Sequence, residues 1–345
     1  MNDRYNKKIN NFINLSTGKC RHTPSILASC ERIIAIGDIH GDINALILSL
    51  NKAGVIDSYN NWIGKTDIVV QVGDILDRGG RGVSVPSTNK YEEIDILSFM
   101  YSLNKQAMNV GGRVISLLGN HELMNLLGDF RYASREHING FGGFDKRKEI
   151  FRPGSAFCKK IACNSLGMVK IGGWVFVHGG FLPIHIENLI KSDSHLNNDS
   201  LTINKLDIKK LLEKKYDNNK SIILLNNLVL GILRGDINID NLKRHEEDML
   251  FGSDGIFWTR KFSEKIVKDN NCKLLHNTLG LLNNQNGGGL VCGHTPQTTI
   301  NSACDSKVWR IDVGMSEAFG KRNKNILERI EVLEIWPNKN IVKKI

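Results

Sequence analysis

The side chains with the most chemical promise fall in five short blocks. The first, Gly37-Asp38-Ile39-His40-Gly41-Asp42, sets a carboxylate and an imidazole two positions apart. In extended backbone that spacing puts Asp38 and His40 on one side, able to grip a single ion. The second is Gly73-Asp74-Ile75-Leu76-Asp77-Arg78-Gly79. An Asp directly after a strand can bridge two ions, and an Arg such as Arg78 can meet phosphate with two parallel N–H bonds. In the third, Gly119-Asn120-His121-Glu122, the Asn120 amide oxygen is a candidate ligand, and His121 must then point elsewhere, which makes it a candidate proton donor. The fourth and fifth, His178-Gly179-Gly180 and Gly293-His294-Thr295-Pro296, each bring one imidazole beside small or rigid residues. Alone, each block also reads as a core hydrogen-bond pair or an ordinary turn. Together they supply what two divalent cations need to activate water for phosphoryl chemistry: hard oxygens, imidazole nitrogens and a bridging ligand between ions roughly 3.5 to 4 Å apart.

Each block follows a short apolar, β-branched run, at residues 32–36, 67–72, 113–118, 174–177 and 290–292. Helical patterns lie between them, for example at 44–53 and 91–109. The class is therefore α/β, with the site on loops at the carboxyl ends of strands. Residues 184–254 are rich in Asn and Lys, with helical periodicity at 208–216 and 222–233. They read as a helical insertion beside the site, or equally as a surface excursion. The tail at 326–335 reads as strand, and no internal repeat is present.

With 345 residues, 41% hydrophobic and 24% charged, the chain is long enough for a large core and is neither disordered nor fibrous. The formal charge of +10 favours anionic partners, although a solvated lysine-rich surface accounts for it equally well. No RNA-binding motif or aromatic and basic patch accompanies the charge, so a nucleic-acid partner is not expected. The seven cysteines form no CxxC pair and no regular spacing, which predicts free thiols in a reducing compartment. The polar, basic start lacks the apolar core of a signal peptide, and no run is long enough to span a membrane. The expectation is a soluble, cytoplasmic protein with no membrane partner.

Read in order as GDIHGD, GDILDRG, GNHE, HGG and GHTP, the blocks resemble the calcineurin-like metallophosphoesterase superfamily, in its phosphoprotein phosphatase branch. The resemblance covers about residues 32–315. Residues 117–132, LLGNHELMNLLGDFRY, are similar more particularly to the Shewanella-like protein phosphatases. So is Phe257-Trp258-Thr259-Arg260, the segment that delivers a second phosphate-binding arginine in that group.

The resemblance implies a sandwich of two mainly mixed β-sheets flanked by helices. The domain division expected is an extension at 1–30 and a catalytic domain at 31–340, carrying the helical insertion at about 184–254. It also implies Asp38, His40 and Asp74 on one ion and Asp74, Asn120, His178 and His294 on the other. The ions would be manganese, with iron or zinc as alternatives. Arg78 and Arg260 would clamp phosphoryl oxygens, with Asn120 also at the substrate, and His121, oriented by Asp77, would protonate the leaving oxygen. A hydroxide bridging the two ions would attack phosphorus in line, on a phosphorylated protein or peptide. Two departures matter. Pro296 stands where nucleases of the superfamily carry a second His, which argues against that activity, and Leu118 stands where most eukaryotic Ser/Thr phosphatases carry Arg. The alternatives are hydrolysis of a diadenosine polyphosphate, a nucleotide substrate, and, in another class, a non-catalytic phosphoprotein-binding module.

Other residues carry plainer expectations. Asp42 braces the first loop, Asp129 and Arg131 form an ion pair or line the substrate mouth, and His137, His185, His195, His245 and His276 are surface or packing residues. Cys292 is a buried strand residue whose nearness to the site could make activity sensitive to oxidation.

Overall fold

The structure, a computed structural model, describes residues 2–15, 23–81, 87, 89–196, 219–282, 287–320 and 326–345. Two six-stranded sheets share one hydrophobic core. Sheet one runs, in spatial order, β1 (Ile26–Leu27), β6 (Met168–Ile171), β7 (Trp174–Val177), β8 (Gly289–Cys292), β10 (Val308–Arg310) and β9 (Asn301–Ala303). Sheet two runs β12 (Ile341–Lys344), β11 (Leu333–Trp336), β2 (Ile33–Ile36), β3 (Ile68–Gln71), β4 (Arg113–Leu117) and β5 (Ser165–Leu166). Both sheets are mixed. β2 to β5 are parallel while β11 runs antiparallel to β2, and β7, β8 and β10 are parallel while β6 runs antiparallel to β7 but parallel to β1, and β9 runs antiparallel to β10.

The apolar runs named above become β2, β3, β4, β7 and β8. Ile33 to Ile36 and Ile68 to Gln71 are buried at every position, the pattern of parallel strands covered on both faces, where β-branched residues pack best. Helical periodicity gives α2 (Ile43–Lys52), capped at its start by the Asp42 side chain, and α3 (Glu92–Asn109). The short α4 (Asn120–Leu126), α5 (Arg135–Gly140), α6 (Phe144–Phe151) and α7 (Ala156–Asn164) fill the chain between β4 and β5.

Beyond β7 come α8 (Pro183–Leu196), α9 (Lys220–Arg234), α10 (Arg244–Phe251) and α11 (Asp269–Leu281). The pattern at 222–233 falls inside α9, whereas that at 208–216 lies outside the described residues. α9 packs against α7, α8 and β6. Asn226 fixes the contact by accepting the Gly167 and Met168 N–H groups at 2.7 and 3.1 Å.

At the amino terminus, α1 (Asn2–Asn14) lies against α3 and α7. Its Ile9 and Phe12 are buried, and the Phe12 ring stands 5.0 Å from that of Phe157.

Two expectations are corrected. Residues 326–329 form a helix, α12 (Ile326–Arg329), before the chain extends into β11. Leu327, Glu328 and Arg329 are strong helix formers, and so short an apolar run does not discriminate between the two states. Cys272 and Cys304 form a disulfide across 32 positions, because α11 lies against the turn between β9 and β10, and Cys163 is disulfide-bonded as well. Only Cys30, Cys158 and Cys292 among the described cysteines are free, so cysteine usage no longer argues for a reducing compartment. No helix among the described residues is long and apolar enough to cross a membrane.

Phe12→Ala is expected to destabilise the protein by about 3–5 kcal/mol in urea unfolding, the usual cost of emptying a buried aromatic site. A cost near zero would show that α1 is not part of the core.

Candidate active site

Five loops converge at the carboxyl edges of the two sheets, following β2, β3 and β4 in one and β7 and β8 in the other. Close backbone approach makes this possible. A Cβ on Gly119 would collide with the Asp74 carboxylate, and one on Gly293 with that of Asp38. Four site residues hold left-handed backbone: His40 (φ 44°), Asp74 (φ 54°), Asp77 (φ 72°) and His294 (φ 69°). For side chains with a Cβ this conformation is costly and persists only where its surroundings enforce it. Glu122 is one enforcer. Its buried carboxylate accepts the N–H groups of Asp74, Ile75, Leu76 and Gly119 at 2.7–3.0 Å, tying the β3 and β4 loops together.

At the centre stands Asp74. Donor atoms of His40, Asp74 and His121 lie within 4.8 Å of one another, and so do those of Asp74, His178 and His294, with Asp74 common to both groups. Asn120 Oδ1 lies 2.9 Å from both His178 Nε2 and His294 Nδ1. Asp38 accepts the His294 N–H at 3.0 Å, and His40 Nε2 is 4.0 Å from Asp38 and 3.8 Å from Asp74. The structure therefore gathers Asp38, His40, Asp74, Asn120, His178 and His294 in one buried cleft.

The proton positions follow from backbone partners. His40 Nδ1 faces Leu76 O at 3.1 Å, His178 Nδ1 faces Val72 O at 2.9 Å, and His294 Nε2 faces Trp258 O at 3.0 Å. A carbonyl only accepts, so each of these nitrogens carries the hydrogen and the other turns a lone pair inward. That is how metal-binding imidazoles are oriented. The inward set of carboxylates, an amide oxygen and bare imidazole nitrogens contains acceptors alone. Burial and the like charges of Asp312 and Asp74 push the Asp38 pKa well up. Asp312 itself is buried, with one oxygen on the Gly314 N–H at 2.8 Å and the other lacking a hydrogen-bond donor among the described residues. Such a set fits a pair of divalent cations, which would supply the missing positive charge.

His121 stands at the rim of this cleft. Its Nδ1 lies 2.9 Å from Asp77 Oδ2, which turns Nε2 into the cleft, 3.8 Å from Asp74. Burial disfavours its charge, but Asp74 and Asp77 overcome that and raise its pKa. Asp77 is fully buried and is held in turn by Asn125 Nδ2 at 3.0 Å and Arg147 Nη2 at 3.2 Å. Arg147 is fully buried too, stacked over Phe141 and Phe151, and donates to Glu93 at 2.7 Å and Asn125 at 2.8 Å. Glu93 caps the Asp77 N–H at 2.8 Å and faces His137 Nδ1 at 3.1 Å. None of Arg147, Glu93 and His137 carried a signal in the sequence. His137 was expected as a packing or surface residue and is in fact a buried cation between Glu92 and Glu93.

The arginines are less uniform. Arg78 is buried among carboxylates, 2.7 Å from Glu317, 3.4 Å from Asp42 and 3.7 Å from Glu92. Arg260 is exposed, two positions after Trp258, and its charge reaches His294. Arg81, which the motif reading passed over, points into the cleft with Nη2 3.1 Å from His121 Nε2 and 3.3 Å from His40 Nε2.

Elsewhere, Asp129 and Arg131 form an exposed ion pair at 2.8 Å, and Asp42 braces its loop through the Ala45 and Glu317 N–H groups. His185 is buried and bonded to Asp254 O at 2.8 Å, which makes it a packing residue. Burial pushes the Cys292 thiol up to about 12, so the expected route to oxidation sensitivity has no reactive thiolate behind it.

Replacing Arg147 with Met would strand Asp77 and Glu93 as buried unpaired charges. A loss of about 3–5 kcal/mol in urea unfolding is expected, and a neutral substitution would remove Arg147 from the network. For His137, burial lowers the pKa but Glu93 and Glu92 raise it to about 9. The folded state therefore holds this proton more tightly than the unfolded chain, in which it titrates near 6.5. The stabilisation is complete below about pH 6.5 and fades as pH rises through 9. Melting temperature should fall over that window in the wild type, and more shallowly in His137→Gln.

Residues 31–310 match the calcineurin-like phosphoesterase family. Shewanella-like protein phosphatase 2 of Arabidopsis thaliana is 29% identical over 86% of this chain and 75% of its own length. Shewanella-like protein phosphatase 1 of Plasmodium berghei is 30% identical over 83% and 67%. A solved cold-active protein-tyrosine phosphatase from a psychrophilic Shewanella superposes with a TM-score of 0.63 at 23% identity, covering 95% of this chain and 84% of that one, which shows a shared fold. With the match taking in most of both sheets and all five motif blocks, this chain belongs to the calcineurin-like phosphoesterase family.

Proposed function

We propose that this phosphoesterase is a protein phosphatase that hydrolyses phosphomonoesters on phosphorylated protein or peptide side chains. The observation that carries the reading is the buried all-acceptor cluster centred on Asp74, with His121 and its Asp77 partner at its rim. Asp38, His40 and Asp74 would hold one divalent ion, and Asp74, Asn120, His178 and His294 the other, manganese being the proposed metal. Bound there, the ions supply an acidified water and charge neutralisation.

The chain's own groups do the rest. Asp77 fixes the His121 ring so that Nε2 can give its proton to the leaving oxygen. Arg260, exposed beside His294, and the arginine-bearing loop after β3 present positive charge to the phosphoryl oxygens. The names of the relatives favour a phosphoprotein substrate, and the absence of a second His at Pro296 favours monoesters over nucleic-acid diesters.

A panel of phosphoserine, phosphothreonine and phosphotyrosine peptides, run with Mn²⁺ beside diadenosine tetraphosphate, tests this directly. Turnover of the peptides well above the dinucleotide is expected, and the reverse order would replace the reading with a nucleotide hydrolase. His121→Ala should slow an alkyl phosphate by about 10² to 10⁴, and p-nitrophenyl phosphate much less, since its leaving group needs little help. Equal losses on both would remove His121 as the proton donor.

A further inference from the structure

Five strand ends carry the motif blocks, and a sixth reaches the same edge. β10 runs parallel to β8, so its carboxyl end lies where Gly293 and His294 follow β8. Two positions past β10 stands Asp312. Its backbone is wedged between the first and the fifth block. A Cβ on Gly37 would collide with Ile311 O and lie 3.2 Å from Asp312 Cα, while Asp312 O accepts the Gln297 N–H at 2.8 Å. Asp312 is thus set beside the turn that carries Asp38.

The side chain is 1% exposed, and its two oxygens are treated differently. Oδ1 accepts the Gly314 N–H at 2.8 Å, whereas Oδ2 has no hydrogen-bond donor among the described residues. A buried carboxylate oxygen without a partner is costly. The charge of Asp312 falls on the cleft. Burial aside, it is the leading influence on Asp38, ahead of Asp74, and Asp312 in turn feels Asp74, His178 and Arg81. Bracing the loop needs none of this. An asparagine would accept the Gly314 N–H equally well and would spare Asp38 and Asp74 a third like charge. The negative charge and the idle oxygen both call for a cation. On the Asp38 side, the ion proposed at Asp38, His40 and Asp74 has three protein groups, against four for its neighbour.

We infer that Asp312 is a further carboxylate of the first ion's site, whose charge and Oδ2 help to retain the ion held by Asp38, His40 and Asp74. The inference rests on the two-ion phosphatase reading and extends its donor set to a sixth strand end, outside the five blocks.

The test is calorimetric titration of Mn²⁺ into metal-free, full-length wild type, Asp312→Asn and Asp38→Asn, with melting temperatures taken before and after loading. Wild type should take up two ions. Asp312→Asn should bind one of them about 10- to 100-fold more weakly, the usual effect of removing a group that supports a metal's ligands. Asp38→Asn should weaken the same step. Without metal, Asp312→Asn should melt at or above the wild-type temperature, because one of three like charges is gone. Manganese should then raise its melting temperature less than it raises that of wild type. Wild-type affinity for both ions in Asp312→Asn would overturn the assignment. So would a metal-free Asp312→Asn that melts lower or fails to fold, which would make Asp312 a brace of its loop. A wild type that takes up no Mn²⁺ would defeat the two-ion reading itself. The expected binding pattern without turnover of any phosphomonoester would defeat the phosphatase reading and leave the Asp312 assignment standing.

Discussion

Asp38, Asp74 and Asp312 are buried within reach of one another's charge, and like charges so placed cannot all stay ionised without compensating cations. Much of the surrounding architecture answers that constraint. The imidazoles of His40, His178 and His294 are turned lone pair inward by backbone carbonyls, and Arg81 brings positive charge into the cleft. The left-handed backbone at His40, Asp74, Asp77 and His294 is the strain accepted for aiming these groups at one point. The glycines at 119 and 293 exist where the carboxylates need room.

A second layer holds His121 from behind, apart from the inward-facing acceptors. Among the described residues Asp77 bonds the His121 imidazole and no other, and Arg147, Asn125, Glu93 and His137 pin it from behind. The Nδ1 side of His121 is thereby fixed while its Nε2 faces the cleft. Tyr132 and Phe319 form an aromatic wall beside His121 and His40, which limits how a substrate can enter.

The parts of this arrangement legible in the sequence are those that depend on near neighbours. Asp38 with His40, Asp74 with Asp77, and Asn120 with His121 lie in contiguous blocks, and the strands before them announce themselves by β-branched runs. What stayed hidden depends on contacts that only the tertiary fold creates. Arg147 reaches Asp77 across 70 positions and Glu93 across 54, and an isolated arginine in a polar helix looks like any solvated one. Cys272 and Cys304 share no spacing motif, so their bond was invisible. Arg81 lies just past the motif arginine Arg78, and only its side-chain direction brings it into the cleft. Residues 326–329 are too short a run for local pattern to decide between strand and helix.

The first long strand of sheet two, β2, lies between β3 and β11, so a strand far along the chain completes the flank of one that precedes it. The cleft likewise draws on residues from Asp38 to His294. A ribosome-bound chain that ends short of β8 has no His294 to complete the second donor group. The donor groups of the cleft are therefore complete only once β8 and His294 have been made, and a product truncated before them would carry a recognisable motif set without a complete centre.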